Sequence, residues 1–168
     1  MLFIQQKCCI ISRVTDEDKG WQDDSITECS RGITPGIHTA TLDEVEAVFA
    51  RTPRRRALFN GLLHAVQNLQ AFGVRRVFID GSFITTKAAS NDADGCWEWH
   101  EAMNIDALDP VLLDFSQHRR AMREKYGIDF FIANWMEGGS GLTFLAFFQL
   151  NRADEPKGIV MITLGENA

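Results

Sequence analysis

Apolar residues recur along the chain at two spacings, one typical of helices and the other typical of strands. The sequence Thr41-Leu42-Asp43-Glu44 matches a capping box, which predicts that a helix begins there. Thr52 and Pro53 predict the start of a second helix, with threonine as the N-cap and proline in the first turn. Apolar residues then follow at intervals of three or four positions, and Gly73 predicts the end of this helix.

In the rest of the chain, predicted strands alternate with predicted helices. Apolar runs predict strands at residues 74–80, 92–99, 128–132 and 158–164. Asp109-Pro110 predicts a helix that runs to about residue 126 and ends at Gly127, and Ser140 predicts the cap of a last apolar helix over residues 142–150. Strands that alternate with helices predict an α/β or α+β fold, in which a single mixed β-sheet packs against helices.

The length of the chain predicts one folded domain. Its 168 residues are enough to bury one core, and we expect the domain to cover residues 33–168. Residues 1–32 combine a strand-like stretch at 9–14 with an acidic polar segment. Two interpretations of residues 1–32 stay open, an appendage that contains a short strand and a disordered tail.

The composition of the chain limits the classes of binding partner and the cellular compartment that we expect. The net charge of −6 argues against a surface that binds nucleic acid along its whole length, although local arginine clusters leave room for an anion site. No apolar run is long enough to span a bilayer, and the N-terminus lacks the pattern of a signal peptide. Four cysteines without metal-binding spacing favour reduced thiols, so we expect a cytoplasmic protein without a membrane partner.

The most informative motif lies around the first two predicted strands. Gly81 and Ser82 follow an apolar strand, and such a turn can bring backbone N–H groups and a hydroxyl close to a phosphate. Asp92 and Asp94 are two residues apart, so both carboxylates would point to one face of a strand. Two converging carboxylates together with substrate phosphates suit Mg²⁺. The alternative is a solvated turn that contains both aspartates.

These residues resemble a known motif. Gly81-Ser82, a spacer and Asp92-Ala93-Asp94 are similar to the motif of the nucleotidyltransferase superfamily related to DNA polymerase beta. From Pro35-Gly36-Ile37-His38 to Pro156-Lys157-Gly158-Ile159-Val160, the chain resembles a family of small bacterial nucleotidyltransferase-like proteins. That resemblance covers most of the chain apart from its N-terminal segment. It implies the same fold, with helices packed on a small sheet and the site at the strand ends.

The resemblance also implies a reaction. A nucleoside monophosphate would move from a nucleoside triphosphate such as ATP to a hydroxyl on a protein or on an RNA such as tRNA. The two aspartates of the motif would hold Mg²⁺ or Mn²⁺. A third metal-binding and catalytic carboxylate is expected on a later strand, where Asp129 fits by position; its alternative is an edge position that faces water. Gly81, Ser82 and Lys87 would bind the nucleotide, although Lys87 also fits a solvated loop.

Small relatives of this kind often work beside a partner protein, in toxin–antitoxin or phage-defence pairs, so the resemblance implies a protein partner. Arg54, Arg55 and Arg56 form a candidate docking surface, because positive charge in the first turn opposes the helix dipole. Exposed arginines without a binding role are the alternative. The competing hypothesis for the whole protein is a non-catalytic antitoxin-like or nucleotide-sensing module with the same fold.

Overall fold

The fold is built on one five-stranded mixed sheet with helices packed on it. The computed structural model describes residues 28–29, 32–85, 90 and 92–165. It confirms the predicted combination of a single main mixed sheet with helices. The strand-like stretch at 9–14, most of the appendage predicted over residues 1–32, and Lys87 lie outside the described residues.

The described strands form two sheets. β1 (Glu28–Cys29) and β2 (Gly32–Ile33) pair with each other in an antiparallel arrangement. The strands of the main sheet are β3 (Gly36–Thr39), β4 (Arg76–Asp80), β5 (Asp94–Trp97), β6 (Asp129–Ile132) and β7 (Gly158–Thr163). Their order across the sheet is β3-β7-β4-β5-β6. β3 is parallel to β7 and β5 is parallel to β6, whereas β4 is antiparallel to both of its neighbours.

Two consecutive helices begin where the sequence predicts. α1 (Leu42–Phe49) starts with a complete capping box: the Thr41 hydroxyl accepts from the Glu44 N–H at 3.2 Å, and the Glu44 carboxylate accepts from the Thr41 N–H at 2.7 Å. α2 (Pro53–Phe72) has the predicted threonine N-cap and ends at Gly73, whose φ of 106° is left-handed. Both starts and the glycine stop are therefore confirmed.

The two faces of the main sheet pack against two different apolar clusters. Val77 and Ile79 of β4 and Trp97 of β5 belong to the main core, together with residues of α1 and α2. The Trp97 ring is fully buried and meets Phe72 of α2 edge-on, with 5.7 Å between ring centroids. Alternate residues of a strand point to opposite faces, so Phe78 belongs instead to a smaller apolar cluster on the other face.

The helix predicted over residues 109–126 is wrong for most of its length. The segment begins with a 3₁₀ turn at Pro110–Leu113, and only α3 (Arg120–Tyr126) is α-helical; it ends at Gly127, as predicted. The Asp114 carboxylate accepts from the Ser116 N–H at 2.9 Å. Such a local side-chain bond competes with helical hydrogen bonding and ends the regular pattern before α3.

A left-handed turn separates the 3₁₀ turn from α3. Gln117, His118 and Arg119 have φ angles of 45°, 55° and 61°. An L-residue with a β-carbon pays about 1–2 kcal/mol in this region, because the β-carbon approaches the following carbonyl oxygen. Three consecutive non-glycine residues of this kind need compensation from contacts elsewhere in the fold.

The last helix is shorter than the sequence predicts. α4 (Phe144–Phe147) has Thr143 as its N-cap, so the prediction of a helix over residues 142–150 capped by Ser140 is wrong in both bounds. The Ser140 hydroxyl instead accepts from the Leu142 N–H at 3.2 Å, which forms a local turn. None of the helices in the described part of the chain has the length and apolar character that crossing a lipid bilayer requires.

Candidate functional site

Three aspartates lie side by side at one end of the main sheet. In the antiparallel β4–β5 pair Asp80 is opposite Asp94, and in the parallel β5–β6 pair Asp94 is opposite Asp129. Register partners on neighbouring strands point to the same face, so the three carboxylates form a row. Phe78 and Cys96 share that face two residues further along their strands. We call these three residues the aspartate row.

Asp94, in the middle of the row, is surrounded by negative charge. Its pKa is raised to about 7, chiefly by burial and then by the carboxylates of Asp92, Asp129 and Asp80, in that order. Unit charges about 4 Å apart interact by about 4 kcal/mol at an effective dielectric constant of 20. Asp94 is therefore the position in the row where an added cation would relieve the most repulsion.

Gly81 allows the end of β4 to approach Asp94. Its φ is 82°, and a β-carbon there would lie 2.7 Å from Oδ2 of Asp94 and 3.0 Å from the backbone nitrogen of the same residue. The first of these distances is shorter than the contacts that real β-carbons make, and the second is unusually tight. Glycine is thus required both by the backbone conformation and by the closeness of the carboxylate.

Ser82 connects the glycine–serine turn to Asp92. The Ser82 hydroxyl donates to Oδ1 of Asp92 at 2.6 Å, and the hydroxyl oxygens of Ser82 and Ser90 lie 2.8 Å apart. The Ser90 hydroxyl also lies 2.9 Å from the Asp92 carbonyl oxygen, to which it can donate. In this state the Ser82 proton is directed to a carboxylate, so binding a phosphate would require an exchange of hydrogen-bond partner.

Asp80 is paired with Lys157, the residue immediately before β7. The ammonium of Lys157 lies 2.8 Å from Oδ1 and 2.6 Å from Oδ2 of Asp80. The pKa of Asp80 is nevertheless raised, because burial outweighs the attraction of Lys157 and the hydrogen bond from the Gly81 N–H. This ion pair, in which Asp80 is buried and Lys157 is partly exposed, closes one end of the aspartate row.

Asp129 closes the other end of the row through two arginines. The Arg123 Nε lies 2.9 Å from each carboxylate oxygen of Asp129, and its Nη2 also contacts Oδ2. The Arg119 Nη2 donates to Oδ2 at 3.3 Å, while its guanidinium lies 4.6 Å from the centre of the Phe131 ring. Although β6 is an edge strand, Asp129 is 5% exposed and does not face water.

Arg55 supports the glycine–serine turn from the core side. It is 5% exposed, and its guanidinium donates to the carbonyl oxygens of Phe83 at 2.6 Å, Ser82 at 3.3 Å and Thr85 at 2.5 Å. It also donates to the Phe49 carbonyl at 3.0 Å. Arg55 thus fixes the position of the loop and does not belong to an exposed docking surface, which corrects the prediction for this residue; Arg54 and Arg56 are exposed, as predicted.

The structure brings most of the predicted site residues into one region. Asp94 and Asp129 are neighbours in register, and Gly81 and Ser82 contact Asp94 and Asp92, while Lys87 lies outside the described residues. Sequence reasoning missed the ion pairs made by Lys157 and Arg123, because both partners depend on the tertiary fold. It also missed the buried role of Arg55, although the unusual charge in the first helical turn was a usable signal.

The chemistry of the site centres on carboxylate oxygens. Within the described residues, no group of three or more histidine, cysteine, aspartate or glutamate side chains is arranged to hold a metal ion. Asp80 and Asp129 are occupied by cationic side chains, whereas the described residues provide no ion-pair partner for Asp92 or Asp94. The arrangement can attract a cation at its centre and has cationic side chains at both ends.

The fold and the site define a mixed α/β domain with an aspartate row beside a glycine–serine turn. The chain belongs to the family of unknown function DUF6932, whose model matches residues 29–163 and so covers the whole main sheet and the site. No curated protein and no solved structure matches the chain. The family match does not bear on the reaction.

Proposed function

We propose that this protein is a metal-dependent nucleotidyltransferase, which moves a nucleoside monophosphate from a nucleoside triphosphate to a hydroxyl on a protein or an RNA. The observation that supports this most strongly is the surroundings of Asp94. That carboxylate is half-buried among three other carboxylates and lies against the Gly81-Ser82 turn. A divalent cation carried by a triphosphate would supply the positive charge that this position lacks.

Asp92 and Asp94 fit a hard divalent cation such as Mg²⁺ or Mn²⁺, because they offer carboxylate oxygens that no cationic side chain of the described residues occupies. Asp129 fits by its position beside Asp94, once its arginine partners release it. A bound cation would supply charge neutralisation at the triphosphate and a lowered pKa for the acceptor hydroxyl.

The other residues of the site would position the nucleotide. Gly81 gives the phosphates close access to the backbone, and Ser82 would exchange its bond to Asp92 for a bond to a phosphate oxygen. In the transfer, the acceptor oxygen forms a bond to the α-phosphorus, and the bond between that phosphorus and the pyrophosphate breaks. The acceptor proton passes to a carboxylate, Asp129 according to the resemblance. Catalysis of this kind rests mainly on positioning and electrostatics.

The setting of the reaction follows from the resemblance alone. It points to a cytoplasmic toxin–antitoxin or phage-defence pair, in which a partner protein accompanies the transferase. Arg54 and Arg56 remain exposed on the first turn of α2 and are candidates for contact with an acidic partner. Since Arg55 is buried, this surface is smaller than the three-arginine cluster that the sequence suggests.

A second candidate function is a non-catalytic nucleotide-sensing or antitoxin-like module. The observation that favours it is the state of Asp129, whose oxygens are occupied by Arg119 and Arg123. If Asp129 never leaves this ion pair, the third carboxylate is lost. Nucleotide binding at Asp92 and Asp94 would then persist without transfer.

A labelling assay separates the two candidates. The purified protein is incubated with each α-labelled nucleoside triphosphate, Mg²⁺ or Mn²⁺, total tRNA and a cell lysate. The transferase predicts label on RNA or on a protein band, lost with Asp94→Asn and retained with Asp106→Asn, which removes an exposed aspartate outside the site. Metal-dependent binding of the nucleotide without any label on RNA or protein would favour the sensing module.

A further inference from the structure

Two arginines occupy the carboxylate that the proposed reaction requires. Arg123 holds Asp129 through both carboxylate oxygens, and Arg119 adds a longer bond to Oδ2 at 3.3 Å. The Asp129 side chain is 7% exposed, so water cannot easily replace these partners. Arg123 is by contrast 53% exposed, which leaves its guanidinium free to move toward another anion without unfolding α3.

One N–H group of the Arg119 guanidinium has no hydrogen-bond acceptor among the described residues. This group is Nε, which is buried. A buried guanidinium N–H without an acceptor is unfavourable, because it has lost water and gained nothing in return. Arg119 therefore lacks one acceptor that an anionic ligand could provide.

The backbone that presents Arg119 is also unfavourable. Gln117, His118 and Arg119 all lie in the left-handed region, and none of them is glycine. Arg119 directly precedes α3, so a change of the turn would move its guanidinium while α3 stays in place. Strain of this kind at a site is often retained because the segment changes conformation in function.

We propose that the turn at residues 117–119 and the side chains of Arg119 and Arg123 form a gate over Asp129, in which both arginines compete with a divalent cation for this carboxylate. When the cation takes Asp129, the turn relaxes and both guanidinium groups are released to phosphate oxygens of the nucleotide. This gate rests on the proposed function, because it assigns a closed and an open state to the same site. It makes the arginines inhibitory toward metal binding and favourable toward triphosphate binding.

The gate predicts effects of opposite sign for one double variant. Arg119→Gln/Arg123→Gln should bind Mn²⁺ alone about tenfold more tightly than the unmodified chain, as measured by loss of the free Mn²⁺ signal in electron paramagnetic resonance. The same variant should bind ATP in the presence of Mn²⁺ about tenfold more weakly, as measured by calorimetry. If the two arginines had only a structural role, the double variant would bind both Mn²⁺ alone and ATP with Mn²⁺ more weakly. Arg120→Gln is the matched control, since Arg120 is exposed and pairs with Glu124.

A second cycle separates the gate from general electrostatics. In an Asp129→Asn background, replacing both arginines should no longer tighten Mn²⁺ binding, whereas a long-range charge effect would persist. His118→Gly offers an independent variant, because glycine accepts the left-handed turn without penalty. It should stabilise the closed state and weaken Mn²⁺ binding several-fold, a change that needs no altered charge at Asp129.

The outcomes distinguish the gate from the proposed function. Mn²⁺ binding that depends on Asp92 and Asp94 but is unchanged by both arginine substitutions would overturn the gate and leave the transferase standing. Absence of Mn²⁺ binding from every folded variant, with and without ATP, would overturn the proposed function and the gate together. Circular dichroism melting of each variant establishes that it is folded.

Discussion

At Asp94 two effects act in the same direction, since burial and neighbouring carboxylates both disfavour the charged form and raise its pKa to about 7. In the unfolded chain the ordinary value of 3.8 applies. Between these two values the folded state binds the proton more tightly than the unfolded state does. The free energy of unfolding contributed by Asp94 therefore falls as the pH rises through this window, and it is constant above it.

Replacing this carboxylate tests the charge distribution of the site. Asp94→Asn should be more stable than the unmodified chain by about 2 kcal/mol at pH 8, and the difference should disappear near pH 4. Urea denaturation at several pH values measures it. Asp106→Asn removes an exposed aspartate and should leave the pH dependence unchanged. An equal pH dependence in Asp94→Asn and in the unmodified chain would contradict this charge distribution.

Gly81 is the second residue whose role can be tested alone. Gly81→Ala places a β-carbon 2.7 Å from Oδ2 of Asp94 on a backbone with φ of 82°, and should lower the free energy of unfolding by about 2–3 kcal/mol. Gly138→Ala is the control, because nothing lies within 4 Å of its added β-carbon. Its effect should stay within about 0.5 kcal/mol. Equal losses in both variants would show that closeness to Asp94 does not require glycine.

Part of the site could be predicted from single residues because its signals are local. Gly81 and Ser82 are adjacent, so the turn follows from short-range geometry. The shared strand face predicted for Asp92 and Asp94 is not confirmed, because β5 begins only at Asp94 and Asp92 precedes it. The ion pair between Asp80 and Lys157 spans 77 positions. No local pattern indicates such a contact, which appears only when β4 and β7 pair.

At the scale of elements, caps were predictable and helix lengths were not. The capping box at Thr41 and the stop at Gly73 depend on residues within one turn, and the structure confirms both. The predicted helix over 109–126 breaks because Asp114 bonds locally to Ser116 and because Arg119 is held at Asp129. Helix propensity cannot anticipate the contact between Arg119 and Asp129, because Asp129 lies on β6 and approaches Arg119 only in the folded chain.

The contact between α2 and the glycine–serine turn gives a prediction at this scale. Arg55→Met would leave the carbonyl oxygens of Ser82, Phe83 and Thr85 without this donor, so the free energy of unfolding should fall by about 2–4 kcal/mol. Urea denaturation measures the loss. Arg56→Met removes the exposed neighbouring arginine and should change stability by less than about 0.5 kcal/mol. Similar losses in the two variants would contradict the supporting role of Arg55.

For the whole molecule, the order of strands creates the site. β4, β5 and β6 are adjacent in the sheet, and this arrangement aligns Asp80, Asp94 and Asp129. A long connection between β5 and β6 separates Asp94 from Asp129 in the sequence. The sequence predicts one mixed sheet, but not that β7 would lie between β3 and β4. Strand order depends on packing of both faces and has no signal in the period of apolar residues.

The molecule as a whole is acidic, with a net charge of −6, yet cationic side chains lie at both ends of the aspartate row. A free anion would be repelled by the centre of the row, whereas a triphosphate that carries a divalent cation would find attraction at the centre and at both ends. In the proposed function, nucleotide binding therefore requires the metal.

The most direct test of that requirement is isothermal titration of ATP into the full chain, with Mg²⁺ and again with a chelator. We predict that Mg²⁺ tightens ATP binding by about tenfold or more, that Asp92→Asn/Asp94→Asn abolishes this gain, and that Asp106→Asn retains it. Equal affinities with and without Mg²⁺ in the unmodified chain would contradict the assignment of Asp92 and Asp94 as a metal and nucleotide site.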